Sequence, residues 1–156
     1  MPISSGIQAP EFSLQDETGK VRSLADFHGH PVVLYFYPKD DTPGCTTEAC
    51  NFRDDYSQYS QVGITILGVS PDSTQSHKKF KAKYNLPFTL LADDGHKICE
   101  LYGVWGTKKN YGREYQGVFR TTFLIDENGK IVRVFENVKP AGHSAEVFEA
   151  LKSSRS

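Results

Sequence analysis

Apolar residues along this chain fall into two kinds of pattern. Continuous runs rich in β-branched and aromatic residues occupy 32–37, 64–70 and 118–125, as in strands buried on both faces. Shorter alternations at 12–15, 20–22, 88–91 and 130–135 predict further strands. Between them the period becomes helical. Cys45, Ala49, Phe52, Tyr56 and Tyr59 recur at spacings of four, three, four and three, forming one apolar stripe on a helix that Gly63 ends. Ser23 predicts a short helix to Phe27, stopped by Gly29 and Pro31. Ser73 or Thr74 opens another, ending near Asn85, and Asp93 caps one running to Tyr102. Val147, Phe148 and Leu151 share one face of a last helix over 144–152. Asp16 to Gly19 and Asn128-Gly129 read as turns. Residues 1–11 read as an extended lead-in, and the polar segment 105–117 as an excursion from the core.

Strand, helix and strand over 32–70 make a βαβ unit, expected to be parallel and right-handed. The full order is β-α-β-α, an insertion, then β-β-α. That is the order of an α/β thioredoxin-like fold, with a central mixed sheet flanked by helices. An N-terminal hairpin and an inserted segment at 86–117 are added to it. Composition does not shift along the 156 residues, which predicts one domain over 1–156.

Charge narrows the function. Eighteen basic residues against nineteen acidic ones leave a net charge of -1, with no general field for nucleic acid or an anionic membrane. No apolar run approaches transmembrane length. The start carries neither an apolar signal region nor an Arg-rich transit segment, so a cytoplasmic protein is expected. A plastid or other targeted form without its transit segment would look the same. Three cysteines do not make a disulfide framework. Their odd number fits a reducing compartment and thiols that are buried or reactive.

One of those thiols stands where a buried strand gives way to a helix. Thr42 suits the N-cap and Pro43 the first helical position, which puts Cys45 in the first turn. Unpaired backbone N–H groups and the helix dipole favour a thiolate there. Gly44 removes a side chain and lets a small molecule approach. Thr42 offers a hydroxyl near the sulfur, and Pro38 and Pro43 stiffen the loop. Cys50 follows five residues later. In a helix that is about 140° of rotation and about 7.5 Å of rise, so a bond between the two cysteines requires the first turns to unwind. Proline, glycine and two threonines at 43–47 make those turns weak.

The motif Pro38-x-x-x-Thr42-x-x-Cys45 resembles the active-site signature of the peroxiredoxins. The longer string Thr42-Pro43-Gly44-Cys45-Thr46-x-Glu48-Ala49-Cys50 is similar to their bacterioferritin-comigratory (PrxQ) subfamily. The likeness extends from Gly6-x-x-Ala9-Pro10-x-Phe12 to Phe123-Leu124-Ile125-Asp126 and Gly129-Lys130. It implies a thiol peroxidase reducing hydrogen peroxide and organic hydroperoxides. Cys45 is then the peroxidatic cysteine, which becomes a sulfenic acid. Thr42 and the Cys45 amide hold the peroxide oxygens, and Pro38 shields the sulfenate. Arg120 takes the place of the family's active-site arginine and stabilises the thiolate and the developing charge. Cys50 is the resolving cysteine of an intrachain disulfide, and thioredoxin is the reductant. The resemblance implies no metal or organic cofactor, and a monomer or weak dimer.

Other readings of the same residues remain open at this level. Cys50 could be an inert helix thiol, and Cys99 either core packing or an alternative resolver. Arg120 could point into a pocket or lie at a strand end. Glu48 could be a first-turn acid or could orient Arg120. A thioredoxin-type oxidoreductase shares the fold order, yet it needs Cys-x-x-Cys and a proline where Arg120-Thr121-Thr122 stands. A redox sensor or holdase would use the same cysteines. The segment 77–83 reads as a solvated helix face, His28 and His30 lack further ligands at metal spacing, and Tyr111 and Tyr115 could line the approach to the site.

Overall fold

The computed structural model describes residues 2–155; Met1, where the expected lead-in begins, lies outside the described residues. The strands are β1 (Ser13–Asp16), β2 (Val21–Ser23), β3 (Val32–Phe36), β4 (Thr65–Ser70), β5 (Thr89–Ala92), β6 (Trp105–Asn110), β7 (Arg113–Val118), β8 (Thr121–Ile125) and β9 (Ile131–Phe135). The helices are α1 (Pro43–Asp54), α2 (Tyr56–Gln61), α3 (Thr74–Tyr84), α4 (Lys97–Leu101) and α5 (His143–Arg155), with a 3₁₀ turn at Leu24–Phe27. Seven strands form one mixed sheet in the order β2-β1-β5-β4-β3-β8-β9. The central β3, β4 and β5 are parallel, and the flanking pairs are antiparallel. This is the thioredoxin-like arrangement expected from the element order.

Strand alternation divides the interior in two. Val33, Tyr35 and Tyr37 face a core shared with Cys45, Ala49, Phe52, Phe80 and Val147. Val32, Leu34 and Phe36 face the other, with Cys99, Tyr102 and Phe123. All five residues of β3 are buried, which is why its sequence is apolar without a polar face.

Three elements differ from the sequence reading. The helix expected from 43 to Gly63 breaks at Asp55, whose backbone (φ -97, ψ 5) ends α1 and starts α2. The Asp55 carboxylate accepts the Ser144 hydroxyl at 2.6 Å, so a side-chain bond to α5 fixes the break. The excursion at 105–117 is a regular antiparallel hairpin, β6 with β7, outside the main sheet. Its turn residues Tyr111 and Gly112 both have positive φ (52 and 78), as a two-residue hairpin turn requires. The run 118–125 is two strands. Val118 pairs with Trp105 in the hairpin, whereas Thr121 pairs with Phe36 in the main sheet. Phe119 and Arg120 occupy the crossing between the two ladders.

Candidate active site

The C-terminal end of β3 leads through residues 37–42 into α1. Thr42 has the extended backbone of an N-cap, and Pro43 follows at the helix start. Its hydroxyl makes no cap bond and donates instead to the Lys39 carbonyl at 2.9 Å. The oxygen's lone pairs are left to accept from another donor. Cys45, in the first turn, is 1% exposed and packs in the core with Ala49 and Phe52.

Arg120 reaches this sulfur from far away in sequence, and the sheet register explains how. Thr122 pairs with Tyr35 and Leu124 with Val33, so these residues share the face under α1. Two residues before Thr122, Arg120 continues that alternation. It lies just outside β8, not within a strand as the apolar pattern suggested. Its Nη2 donates to Cys45 Sγ at 3.0 Å, and its Nη1 to Glu48 Oε1 at 3.1 Å. Gly44 makes the approach possible: a Cβ there would lie 2.7 Å from Arg120 Nη2. The missing side chain expected to admit a small molecule thus also admits the guanidinium. A charged donor at this distance is placed to stabilise negative charge that develops at the sulfur.

Glu48 is fully buried, and only one of its carboxylate oxygens has a partner. Burial pushes its carboxyl up to about 7, against the Arg120 guanidinium that pulls it down. The folded value lies above the ordinary 4.5. Its contribution to stability is therefore complete at low pH and is lost as the pH rises through that window. Replacing Glu48 with Gln is expected to remove this part of the pH dependence. In urea titrations between pH 4.5 and 8, wild-type stability should decline relative to Glu48→Gln by on the order of 3 kcal/mol. Parallel curves for the two proteins would contradict a neutral Glu48 in the folded state.

Cys50 is half-buried on α1, and all three cysteines are free. An ideal helix separates the Cα atoms of Cys45 and Cys50 by about 8–9 Å, beyond the roughly 4.4–6.8 Å of a disulfide. Several features show where the helix can open. Thr47 bonds back to the Pro43 carbonyl at 2.9 Å, a contact that weakens helices. Asn51, immediately after Cys50, is anchored: its Oδ1 accepts the Ser144 amide at 3.1 Å. Tyr59 donates to the Ser144 carbonyl at 2.6 Å. These bonds to Ser144 hold α1 and α2 from Asn51 onward, beyond the turns that carry Cys45. Cys99 belongs to the other core, across the sheet from Cys45. Burial, with Asp93 beside it, pushes its thiol well above the usual range. This arrangement favours packing over the alternative resolving role.

The segment 77–83 is only partly the solvated face expected. His77 and Phe80 are buried, whereas Lys78 and Lys79 are exposed. The spacing of His77, Phe80 and Tyr84 marks that inner stripe in the sequence, but the lysines around it hide the signal. Lys108 was also missed. Its Nζ donates to the Val118 carbonyl at 2.8 Å and lies over the Phe119 ring. Burial lowers its pKa, with Arg120 adding to the effect and Cys45 opposing it. Nothing in the polar hairpin sequence sets this lysine apart from its neighbours. Tyr111 is 98% exposed at the hairpin tip, and Tyr115 is also exposed. Among the described residues no three His, Cys, Asp or Glu side chains cluster as metal ligands.

Comparison with known proteins covers almost the whole chain. The family model of the AhpC/TSA family matches residues 5–134. The peroxiredoxin Bcp of Bacillus subtilis (strain 168) is 50% identical over 152 residues, covering 97% of each chain. The PrxQ of Xylella fastidiosa, solved as a cysteine-to-serine variant, superposes with a TM-score of 0.94 at 34% identity, covering 100% of this chain and 99% of that one. The bacterioferritin comigratory protein of Xanthomonas campestris, studied for its alkyl peroxide reduction activity, superposes with a TM-score of 0.91 at 36% identity, covering 97% and 99%.

Proposed function

The chain belongs to the AhpC/TSA family and is a peroxiredoxin of the Bcp/PrxQ kind; from that premise we propose that it is built as one domain whose peroxidatic residue is Cys45. The observation that carries the assignment is the 3.0 Å bond from Arg120 Nη2 to Cys45 Sγ in a buried first helical turn. Hydrogen peroxide and organic hydroperoxides are the substrates. The Thr42 hydroxyl oxygen accepts a hydrogen bond from the hydroperoxide O–H, and the Cys45 amide, unpaired at the helix start, donates to a peroxide oxygen. The thiolate attacks one oxygen. An S–O bond forms and the O–O bond breaks; the sulfur keeps one oxygen with its hydrogen as S–OH, and the other oxygen takes a proton from solvent and departs as an alcohol or water. Arg120 stabilises the charge as it moves from sulfur to oxygen, and Pro38 screens the sulfenate.

The first turns of α1 then unwind as far as the Asn51 anchor. The Cys50 sulfur attacks the sulfenic sulfur of Cys45, an S–S bond forms, and the S–O bond breaks as the sulfenic hydroxyl leaves as water with the proton of the Cys50 thiol. A dithiol reductant of the thioredoxin type reduces the disulfide, and the helix rewinds. No organic cofactor or metal takes part in this cycle. The near-neutral charge suits a partner that is neither nucleic acid nor membrane, and no described helix is long and apolar enough to cross a membrane. The reading takes the protein as a monomer or weak dimer.

The test is peroxide consumption coupled to thioredoxin, its reductase and NADPH. Wild-type protein should turn over many times. Cys50→Ser should reduce about one equivalent of peroxide and then lose thioredoxin-coupled turnover. Undiminished turnover by Cys50→Ser would remove Cys50 from the cycle, whereas no peroxide consumption by wild type would remove the peroxidase reading.

A further inference from the structure

In the proposed cycle the helix start must move, while the loop before it is held from behind by α3. Asp40 is buried at the centre of that support. Its Oδ1 accepts the Tyr37 hydroxyl at 2.6 Å. Its Oδ2 accepts the Ser76 hydroxyl at 2.8 Å and lies 2.7 Å from His77 Nδ1. His77 is fully buried, and its Nε2 faces the Leu91 carbonyl at 2.9 Å. A carbonyl only accepts, so Nε2 carries a hydrogen, and Nδ1 is left to Asp40. The Asp40 amide donates to Asp72 Oδ2 at 2.6 Å. One residue on, Asp41 holds a left-handed backbone (φ 56), uncommon for a residue with a Cβ. Its carboxylate takes Lys83 Nζ and the Tyr84 hydroxyl, each at 2.7 Å. Ser76, His77, Lys83 and Tyr84 of α3 thus fix Asp40 and Asp41. That pair stands between Pro38 and Thr42.

We propose that Asp40 and His77 are positioning residues for the peroxide-reducing step. They keep Pro38 and Thr42 in register with Cys45 while the first turns of α1 wind and unwind. Neither touches the sulfur; both act through the 38–42 loop. A rigid wall beside a moving helix lets one half of the pocket be rebuilt against the other after each turnover. Loosening the wall misplaces the Thr42 hydroxyl during attack on peroxide. It does not obstruct closure of the Cys45–Cys50 bond, which takes place after the helix has left the loop.

This inference rests on the peroxidase reading, and the two can be tested apart. Stopped-flow kinetics with hydrogen peroxide separates sulfenate formation, second order in peroxide, from first-order disulfide closure. Asp40→Ala should slow sulfenate formation by roughly tenfold to a hundredfold without slowing closure. Asp40→Asn should stay near the wild-type rate. Its amide oxygen still accepts from Tyr37, and its NH₂ can donate to His77 Nδ1 in the neutral ring. If Asp40→Ala does not fold, Ser76→Ala, which removes one bond to Asp40, should slow the same step to a smaller degree. An unchanged first step in the alanine variants, or equal slowing of both steps, would overturn the positioning role. Failure of wild type to form a sulfenate would instead sink the peroxidase reading, whatever the variants do.

Discussion

Cys45→Ser is expected to abolish peroxide consumption, a loss of more than about a thousandfold in the thioredoxin-coupled assay. A serine hydroxyl at neutral pH is neither ionised nor polarisable enough to break an O–O bond, and the arginine beside it cannot substitute for sulfur. The substitution replaces one buried atom with a smaller one. The packing against Ala49 and Phe52 should therefore survive, and circular dichroism should report an unchanged fold. Residual activity within tenfold of wild type would place the chemistry elsewhere. Cys50 is the available alternative, being a half-buried free thiol on the same helix.

Arg120→Met should lower the rate of sulfenate formation by about a hundredfold to a thousandfold. The guanidinium is the one side-chain cation bonded to Cys45 Sγ among the described residues. Removing it leaves the helix start and the Cys45 amide to carry the charge. It also leaves Glu48 buried without its partner, since Nη1 at 3.1 Å is the bond its Oε1 makes. Arg120→Met alone therefore combines a chemical loss with a stability loss, relative to wild type, that grows as the pH rises above about 7, because the buried Glu48 carboxyl loses the guanidinium that pulls its pKa down. The double variant Arg120→Met/Glu48→Gln separates the two. Its stability should recover, because no charge is stranded, and its rate with peroxide should not. Arg120→Lys should fall between, because an ammonium cannot fork to both Sγ and a carboxylate. Stopped-flow rates and urea midpoints on the same samples check this. A double variant that regains wild-type rate would show that Arg120 only neutralises Glu48.

Much of this site is written in short-range sequence. The apolar run ending at Tyr37 and the Thr42-Pro43-Gly44-Cys45 start are local signals, and the structure places that strand and helix where those signals put them. Arg120 is different. Its identity was visible through the family motif, but its reach to Cys45 depends on the pairing of Tyr35 with Thr122, which no local pattern encodes. The break at Asp55 was missed because the apolar stripe keeps its phase across it; a bond from Ser144, distant in sequence, makes the break. The sequence does not reveal the hairpin at 105–118 because only its base, at Trp105 and Val118, meets a core, so the rest of its strands lack apolar alternation. His77 was missed because its lysine neighbours are solvated, whereas its own ring turns inward to Asp40. In each case the deciding contact comes from a residue far along the chain.

In the proposed cycle Cys45 and Cys50, held apart by a folded helix, meet when its first turns open. The most direct test is a disulfide map by peptide mass spectrometry after one equivalent of hydrogen peroxide. The proposed cycle leaves a Cys45–Cys50 bond within one chain, with Cys99 remaining a thiol. A bond from Cys45 to Cys99, or between chains, would contradict it.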